Sequence, residues 1–203
     1  MKVLGITGNI AAGKSLAASM LAERGAHAID ADAVVHELYR RGTLVFDAVT
    51  ARFGESVAGS EAIDRAELAS IVFGDREAML ELERIVHPAV GDAIRERLES
   101  RPPATPAVIE AIRLVEGVSA DFVDELWIVT APRDEQIARL AEQRGLDRAG
   151  AEQRLDAQTD PAEKERAFKE RRPGVPVNYL VNSGSVEDLR AAVELAWETF
   201  LKT

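Results

Sequence analysis

Two rhythms of apolar residues run along this chain. Short stretches in which most side chains are apolar and many are β-branched lie at 2–7, 26–30, 107–112, 126–130 and 177–182, and these predict buried strands. Between them, apolar residues return every three or four positions. That spacing predicts helices over 14–24, from Asp30-Ala31-Asp32 to about Arg40, and over 43–53, 64–73, 75–99, 133–144 and 186–201. A pair of shorter helices fits about 147–171. Gly54, Gly59 and Gly74 interrupt the helical stretch. Arg101-Pro102-Pro103-Ala104-Thr105-Pro106 stops it, because proline lacks the amide that a helix interior or a central strand needs.

Strands alternating with helices predict an α/β fold of three layers, a five-stranded parallel sheet covered by helices on both faces. The 203 residues suit one domain, 1–203, with a sizeable core. The helix-only run 43–99 is too long for a simple crossover and reads as an inserted helical, substrate-side subdomain. The helices within 145–172 read as a second insert, a helical lid. No stretch approaches the roughly 20 apolar residues of a membrane span. The first residues look superficially like a leader. However, Thr7, Gly8 and Asn9 break the apolar run and Lys14 follows, so they read as part of the mature fold.

The first strand runs straight into Gly8-Asn9-Ile10-Ala11-Ala12-Gly13-Lys14-Ser15, which fits the phosphate-binding pattern G-x-x-x-x-G-K-[ST], and a helix follows. Glycine permits the torsions that turn successive N–H groups onto phosphate oxygens. Lys14 adds a mobile cation, Ser15 a hydroxyl ligand for Mg²⁺, and the helix start its positive dipole end. Gly8, Ala11, Ala12, Gly13, Lys14, Ser15 and Leu16 are therefore the candidate contacts for a nucleoside triphosphate, read as a P-loop.

Charge and cysteine content narrow the partners. A net charge of −10 argues against a general nucleic-acid binder, so a polyanionic ligand must be held by locally placed cations. Arginine is concentrated in 139–172, but it alternates there with glutamate at helical spacing and reads mainly as a solvated, ion-paired surface. The lack of cysteine excludes disulfides and thiolate metal sites and fits a cytoplasmic protein. The charge and amphipathic helices fit a monomer or a small homo-oligomer alike.

Asp30 and Asp32 follow the second strand at its carboxyl end, where ligands bind in open α/β sheets. Two apart, they project to one side if the strand persists that far. Asp32 reads either as the base that takes a proton from a phosphoryl acceptor hydroxyl or as the N-cap of the next helix. Glu110, in the third strand, reads as an acidic member of a Mg²⁺ shell or as a plain strand-end residue. His87, before Pro88, reads as a group capping or bonding a helix end. His27 and His36 have no partners at ligand spacing, so a transition-metal site is not expected. Arg139 and Arg144 follow the fourth strand, with Arg139 expected to point back toward the nucleotide; each reads as a phosphate grip or as a solvated helix arginine. Asn182-Ser183-Gly184 ends the last strand at the same edge of the sheet, bordering the adenine or forming only a turn.

In this order the elements resemble the dephospho-CoA kinase family over nearly the whole length. The resemblance rests on the loop at 8–15, on Ile29-Asp30-Ala31-Asp32 with Glu37-Leu38, and on Leu82, Ile85, His87-Pro88 and Val90. It continues in Leu114-Val115-Glu116, Gln136, Arg139-Leu140, Arg144, Gln158, Asn182 and Gly184. The chain departs from the family's usual pattern at Asn9, Ala12 and Leu16 of the loop, at Arg113, at His36 and at Val177-Asn178. The resemblance implies a P-loop nucleotide kinase fold and transfer of the ATP γ-phosphate to the ribose 3′-hydroxyl of dephospho-CoA. It implies Asp32 as base, Lys14 and Arg139 as catalytic cations, and Ser15 as a Mg²⁺ ligand, with Asp32 or Glu110 joining through water. Arg144, Asn182 and Gly184 fall on the nucleotide side. His87, Glu110 and Arg113 fall with Asp32 on the acceptor side, and 43–99 becomes the coenzyme-binding subdomain. Arg113 and Asn178 leave room for another nucleoside-like acceptor, and a nucleotide-binding regulator without turnover is the reading from a different class.

Overall fold

The computed structural model describes residues 2–102 and 104–202. Met1, Thr203 and Pro103, the last belonging to the expected stop at 101–106, lie outside them. By its internal contacts the chain divides into two compact units. One comprises 1–30 with 100–203, and the other comprises 31–99.

The first unit is built on five parallel strands: β1 (Val3–Gly8), β2 (His27–Asp30), β3 (Ala107–Glu110), β4 (Glu125–Thr130) and β5 (Val177–Val181). Their order is β2-β3-β1-β4-β5. Every residue of β1 is buried, as expected of a central strand covered on both faces, and this is why its sequence is apolar throughout rather than alternating. On one face, Leu4, Ile6, Val108, Trp127 and Val129 pack under α1 (Lys14–Glu23) and α9 (Val186–Lys202). Trp197 and Phe200 of α9 stack there with ring centroids 5.3 Å apart. On the other face, the position a Gly5 side chain would take is filled by Val123, Leu114 and Leu126. A 3₁₀ turn (Val118–Phe122) and the helix α8 (Pro161–Arg171) cover this side, with Phe168 fully buried. The remaining helices of the unit are α6 (Arg133–Arg144) and α7 (Arg148–Asp156). Ala151 and Leu155 of α7 pack with Leu140 of α6 and with Ile10 of the loop after β1.

The third strand is shorter than its apolar run suggested. Pairing as a strand ends at Glu110; Ala111 N–H still donates to the Ile6 carbonyl at 3.1 Å, and the chain then turns through 112–116.

The second unit holds α2 (Ala31–Leu38), α3 (Leu44–Phe53), a 3₁₀ turn (Glu55–Val57), α4 (Arg65–Val72) and α5 (Arg76–Glu99). It therefore begins before residue 43 and takes in α2, because α2 packs on α5 around buried Val34, Val90, Ile94 and Leu98. The helix starts expected at 43, 64 and 75 coincide with residues that cap. Thr43 accepts from Phe46 N–H at 3.1 Å, Asp64 from Ala66 and Glu67, and Asp75 from Glu77 and Ala78. Each such cap contributes about 1 kcal/mol. Two expectations fail here. The helix runs through Pro88, which is exposed, so His87 lies mid-helix and caps no end. Strand β2 stops at Asp30 and α2 begins at Ala31, so the two-residue alternation that would align Asp30 with Asp32 does not apply. Nor is Asp32 an N-cap. It lies inside the first turn of α2, where a carboxylate faces the positive end of the helix dipole.

Candidate active site

The loop between β1 and α1 is shaped by three residues with positive φ. Gly8 has φ 148°, and a Cβ there would lie 2.2 Å from the Val129 carbonyl oxygen of β4. Ala11 is held at φ 58°, a conformation that costs a non-glycine residue about 1–2 kcal/mol. Gly13, at φ 105°, opens α1, and a Cβ there would meet Asn182 Nδ2 at 2.2 Å.

The loop's carbonyls are turned into the protein. Ile10 O accepts from Gln136 Nε2 at 2.8 Å, Ala11 O from Arg139 Nη1 at 3.1 Å, and Ala12 O from Asn182 Nδ2 at 2.9 Å. Asn9 O accepts from Ala12 N–H at 3.1 Å and from Lys14 Nζ at 3.4 Å. In a trans peptide the C=O and the following N–H point in opposite directions. The Ile10–Ala11 and Ala12–Gly13 peptides therefore direct the N–H groups of Ala11 and Gly13 away from those partners. The first amides of α1 add donors without intrahelical acceptors, at the positive end of the helix dipole. This arrangement is a cradle for phosphate oxygens. Gln158 Oε1 steadies its outer side by accepting from Ile10 N–H at 2.7 Å.

Lys14 is buried at 6% exposure, while Ser15 is exposed and donates its hydroxyl to Glu110 Oε1 at 2.7 Å. Glu110 ends β3, in register with Ile6 of β1 on one side and Asp30 of β2 on the other. Parallel neighbours in register direct their side chains to the same face, so Asp30 and Glu110 stand one strand spacing apart, about 4.8 Å. A hydroxyl beside a carboxylate is a hard-oxygen donor pair, suited to a Mg²⁺ that takes its other ligands from phosphates and water. No group of three or more His, Asp or Glu among the described residues is arranged to hold a metal by itself.

Arg139 reaches the loop from α6, but on its carbonyl side. Besides Ala11 O, its guanidinium donates to Glu135 at 2.8 Å and to Asn182 O at 3.4 Å. Asn182 is buried, and its N–H bonds Thr130 O at 2.7 Å, so the residue ties the end of β5 to β4 and to the loop. Gly184 lies just beyond, where a Cβ would be 2.6 Å from Asp188 Oδ2. Asp188 accepts from the Ser185 N–H and hydroxyl, which hold its carboxyl below the usual range. Leu16 is partly exposed at the first turn of α1, Arg144 is exposed in the last turn of α6, and Arg113 is exposed on the turn after β3.

Asp32 and His87 belong to the second unit. Asp32 is half-buried, and its carbonyl accepts from His36 Nδ1 at 2.7 Å, while His36 Nε2 accepts from Arg65. His87 is half-buried in the middle of α5.

Gln136 and Gln158 entered the sequence reading only as marks of resemblance, yet they bracket both backbone groups of Ile10. Thr7 and Lys164 were not singled out as site residues. Both donate to the Ile112 carbonyl, at 3.1 and 3.0 Å. No local signal marks Lys164, which sits in a Glu-Lys-Glu-Arg run that reads as solvated.

Comparison with known proteins agrees with this arrangement. The family model for dephospho-CoA kinase matches residues 2–170. The dephospho-CoA kinase of Geobacter sulfurreducens is 40% identical over 200 residues, 97% of this chain and 98% of that protein. A Thermus thermophilus protein of known crystal structure superposes with a TM-score of 0.76 at 33% identity, over 98% of this chain and 97% of that one. The dephospho-CoA kinase of Campylobacter jejuni, at 22% identity and a TM-score of 0.57 over 98% and 97% of the two chains, shares the fold. A cradle at the carboxyl end of β1, on a parallel sheet of this order and with this match, has one assignment: the chain belongs to the dephospho-CoA kinase family.

Proposed function

We propose that this protein transfers the γ-phosphate of ATP to the 3′-hydroxyl of the dephospho-CoA ribose, giving CoA and ADP. The observation that carries the reading is the family match over 2–170, a span that includes the loop, Asp32, His87, Glu110, Arg113 and Arg139. Phosphoryl transfer leaves little covalent chemistry to the protein, so positioning and charge neutralisation do most of the work. Asp32 takes the proton of the ribose hydroxyl as its oxygen bonds phosphorus and the bond to ADP breaks. Lys14 and the loop segment at Gly8, Ala11, Ala12, Gly13, Ser15 and Leu16 hold the phosphates. Ser15 and Glu110 would hold Mg²⁺, with Asp32 able to join through water; bound there, the ion neutralises phosphate oxygens. Arg139 keeps the loop in shape through Ala11 O and adds positive charge on the nucleotide side, with Arg144 further along α6. Asn182 and Gly184 border the nucleotide, while His87, Arg113 and the 31–99 unit take the acceptor. A cytoplasmic location and a monomer or small homo-oligomer complete the reading.

Purified protein with Mg·ATP and dephospho-CoA, followed for CoA and ADP, tests it. Rapid CoA formation is expected, and Asp32→Asn should lower it by about 10²-fold or more with ATP binding intact. ADP release only with other nucleosides would point to another acceptor. Tight ATP binding with no acceptor-dependent turnover would point to a regulator. Family membership favours the kinase over both.

A further inference from the structure

Lys164 of α8 is 2% exposed, the most deeply buried cation among the described residues. Burying an ammonium costs several kcal/mol unless acceptors are provided. Two are present, the Ile112 carbonyl at 3.0 Å and Glu116 Oε1 at 3.6 Å. Docking α8 does not itself need a charge, since Phe168, one helical turn on, is fully buried and supplies the apolar anchor. What only Lys164 adds is a donor on the Ile112 carbonyl opposite the Thr7 hydroxyl, which donates to the same oxygen at 3.1 Å. That peptide plane is thus held between β1, one residue before the loop's Gly8, and α8. The same plane carries the N–H of Arg113. Further along α8, Arg171 donates to the Gly117 carbonyl at 2.9 Å and to Asp121 at 2.7 Å, holding the far side of the turn.

The turn leaves the carboxyl end of β3, which lies between β1 and β2 in the sheet, at the edge where α/β sheets bind ligands. Arg113 is exposed on it, directly after the shared Ile112 carbonyl and two residues past Ala111, whose N–H donates to the Ile6 carbonyl of β1. We propose that Lys164 is a positioning residue, holding the turn 112–116 so that Arg113 meets the anionic acceptor in a fixed register. This rests on the kinase reading given above.

The test compares wild type with Lys164→Met, which keeps the apolar stem but removes charge and donor. The expected result is a loss of about tenfold or more in kcat/KM for dephospho-CoA, mainly through its KM, with KM for ATP within about twofold. Hydrogen exchange over 112–117 in the unliganded variant should quicken, and Lys164→Arg should recover part of the acceptor KM. If the Met variant does not fold, Lys164→Gln, which keeps a donor, replaces it with the same expectations at smaller size. Wild-type acceptor kinetics in the variant, or equal losses for both substrates, would overturn the assignment of Lys164 alone. A wild type that makes no CoA would overturn the kinase reading and this assignment with it.

Discussion

Gly13 and Asn182 should be energetically coupled, because they compete for one volume. In the native structure Asn182 Nδ2 stands 2.2 Å from the point a Gly13 Cβ would occupy, and donates to Ala12 O at 2.9 Å. Gly13→Ala introduces two costs. Its φ of 105° is unfavourable for an L side chain by about 1–2 kcal/mol. The methyl also displaces the Asn182 amide, leaving a buried carbonyl without its donor, at about 1–3 kcal/mol. Asn182→Ala alone incurs the second cost but not the first. In the double variant the lost hydrogen bond is counted once, so its total cost should fall about 1–3 kcal/mol short of the sum of the two single costs. Urea denaturation of the four proteins measures this, and nucleotide binding should track it. Gly8→Ala is the control. Its obstacle is the Val129 backbone oxygen at 2.2 Å, which no side-chain truncation removes, so Asn182→Ala should not rescue it. Additivity of Gly13→Ala and Asn182→Ala within about 0.5 kcal/mol would refute the shared-volume account.

Lys14→Ala should lower turnover by about 10²–10³-fold while leaving the circular-dichroism spectrum and a cooperative thermal transition in place. Normal rates would contradict the loop's role. Tyr39 and Tyr179, the only two tyrosines of the chain, both have raised pKa values. Burial acts first on each, and at Tyr179 the Glu165 carboxylate that accepts its O–H at 2.8 Å adds to it, giving about 12. A folded-state pKa above the unfolded value of 10.0 favours the native protein below that pH. This contribution is lost as pH rises from about 10 toward 12. Tyrosinate absorbance of the folded protein should stay low at pH 10, and half-ionisation of either residue there would contradict the geometry.

The element order was legible because its determinants are local. The apolar, β-branched runs at 107–112 and 126–130 read as buried strands, close to the β3 and β4 that form, and caps such as Thr43, Asp64 and Asp75 act within their own turn. Two local readings failed for local reasons. His87, before Pro88, was read as a group at a helix end, yet an exposed proline within a long packed helix removes one hydrogen bond and is outweighed by burial along the rest of α5, so His87 stays mid-helix. Asp32 was read by strand alternation, but the chain changes from strand to helix between Asp30 and Ala31.

The phosphate-loop pattern was determined by sequence alone, since glycine torsions and a lysine at fixed spacing leave few alternatives. What holds that loop was not. Gln136 and Arg139 come from α6, Gln158 from the turn after α7 and Asn182 from the end of β5, and each finds a loop backbone group only after the sheet has brought these elements to one edge. Lys164 is the sharpest case. Its neighbours in sequence are charged and mostly solvated, and only the packing of α8 turns its ammonium inward onto a carbonyl fifty-two positions away. A side chain's burial depends on which face its helix presents and on what meets it, and that is decided by the assembled fold.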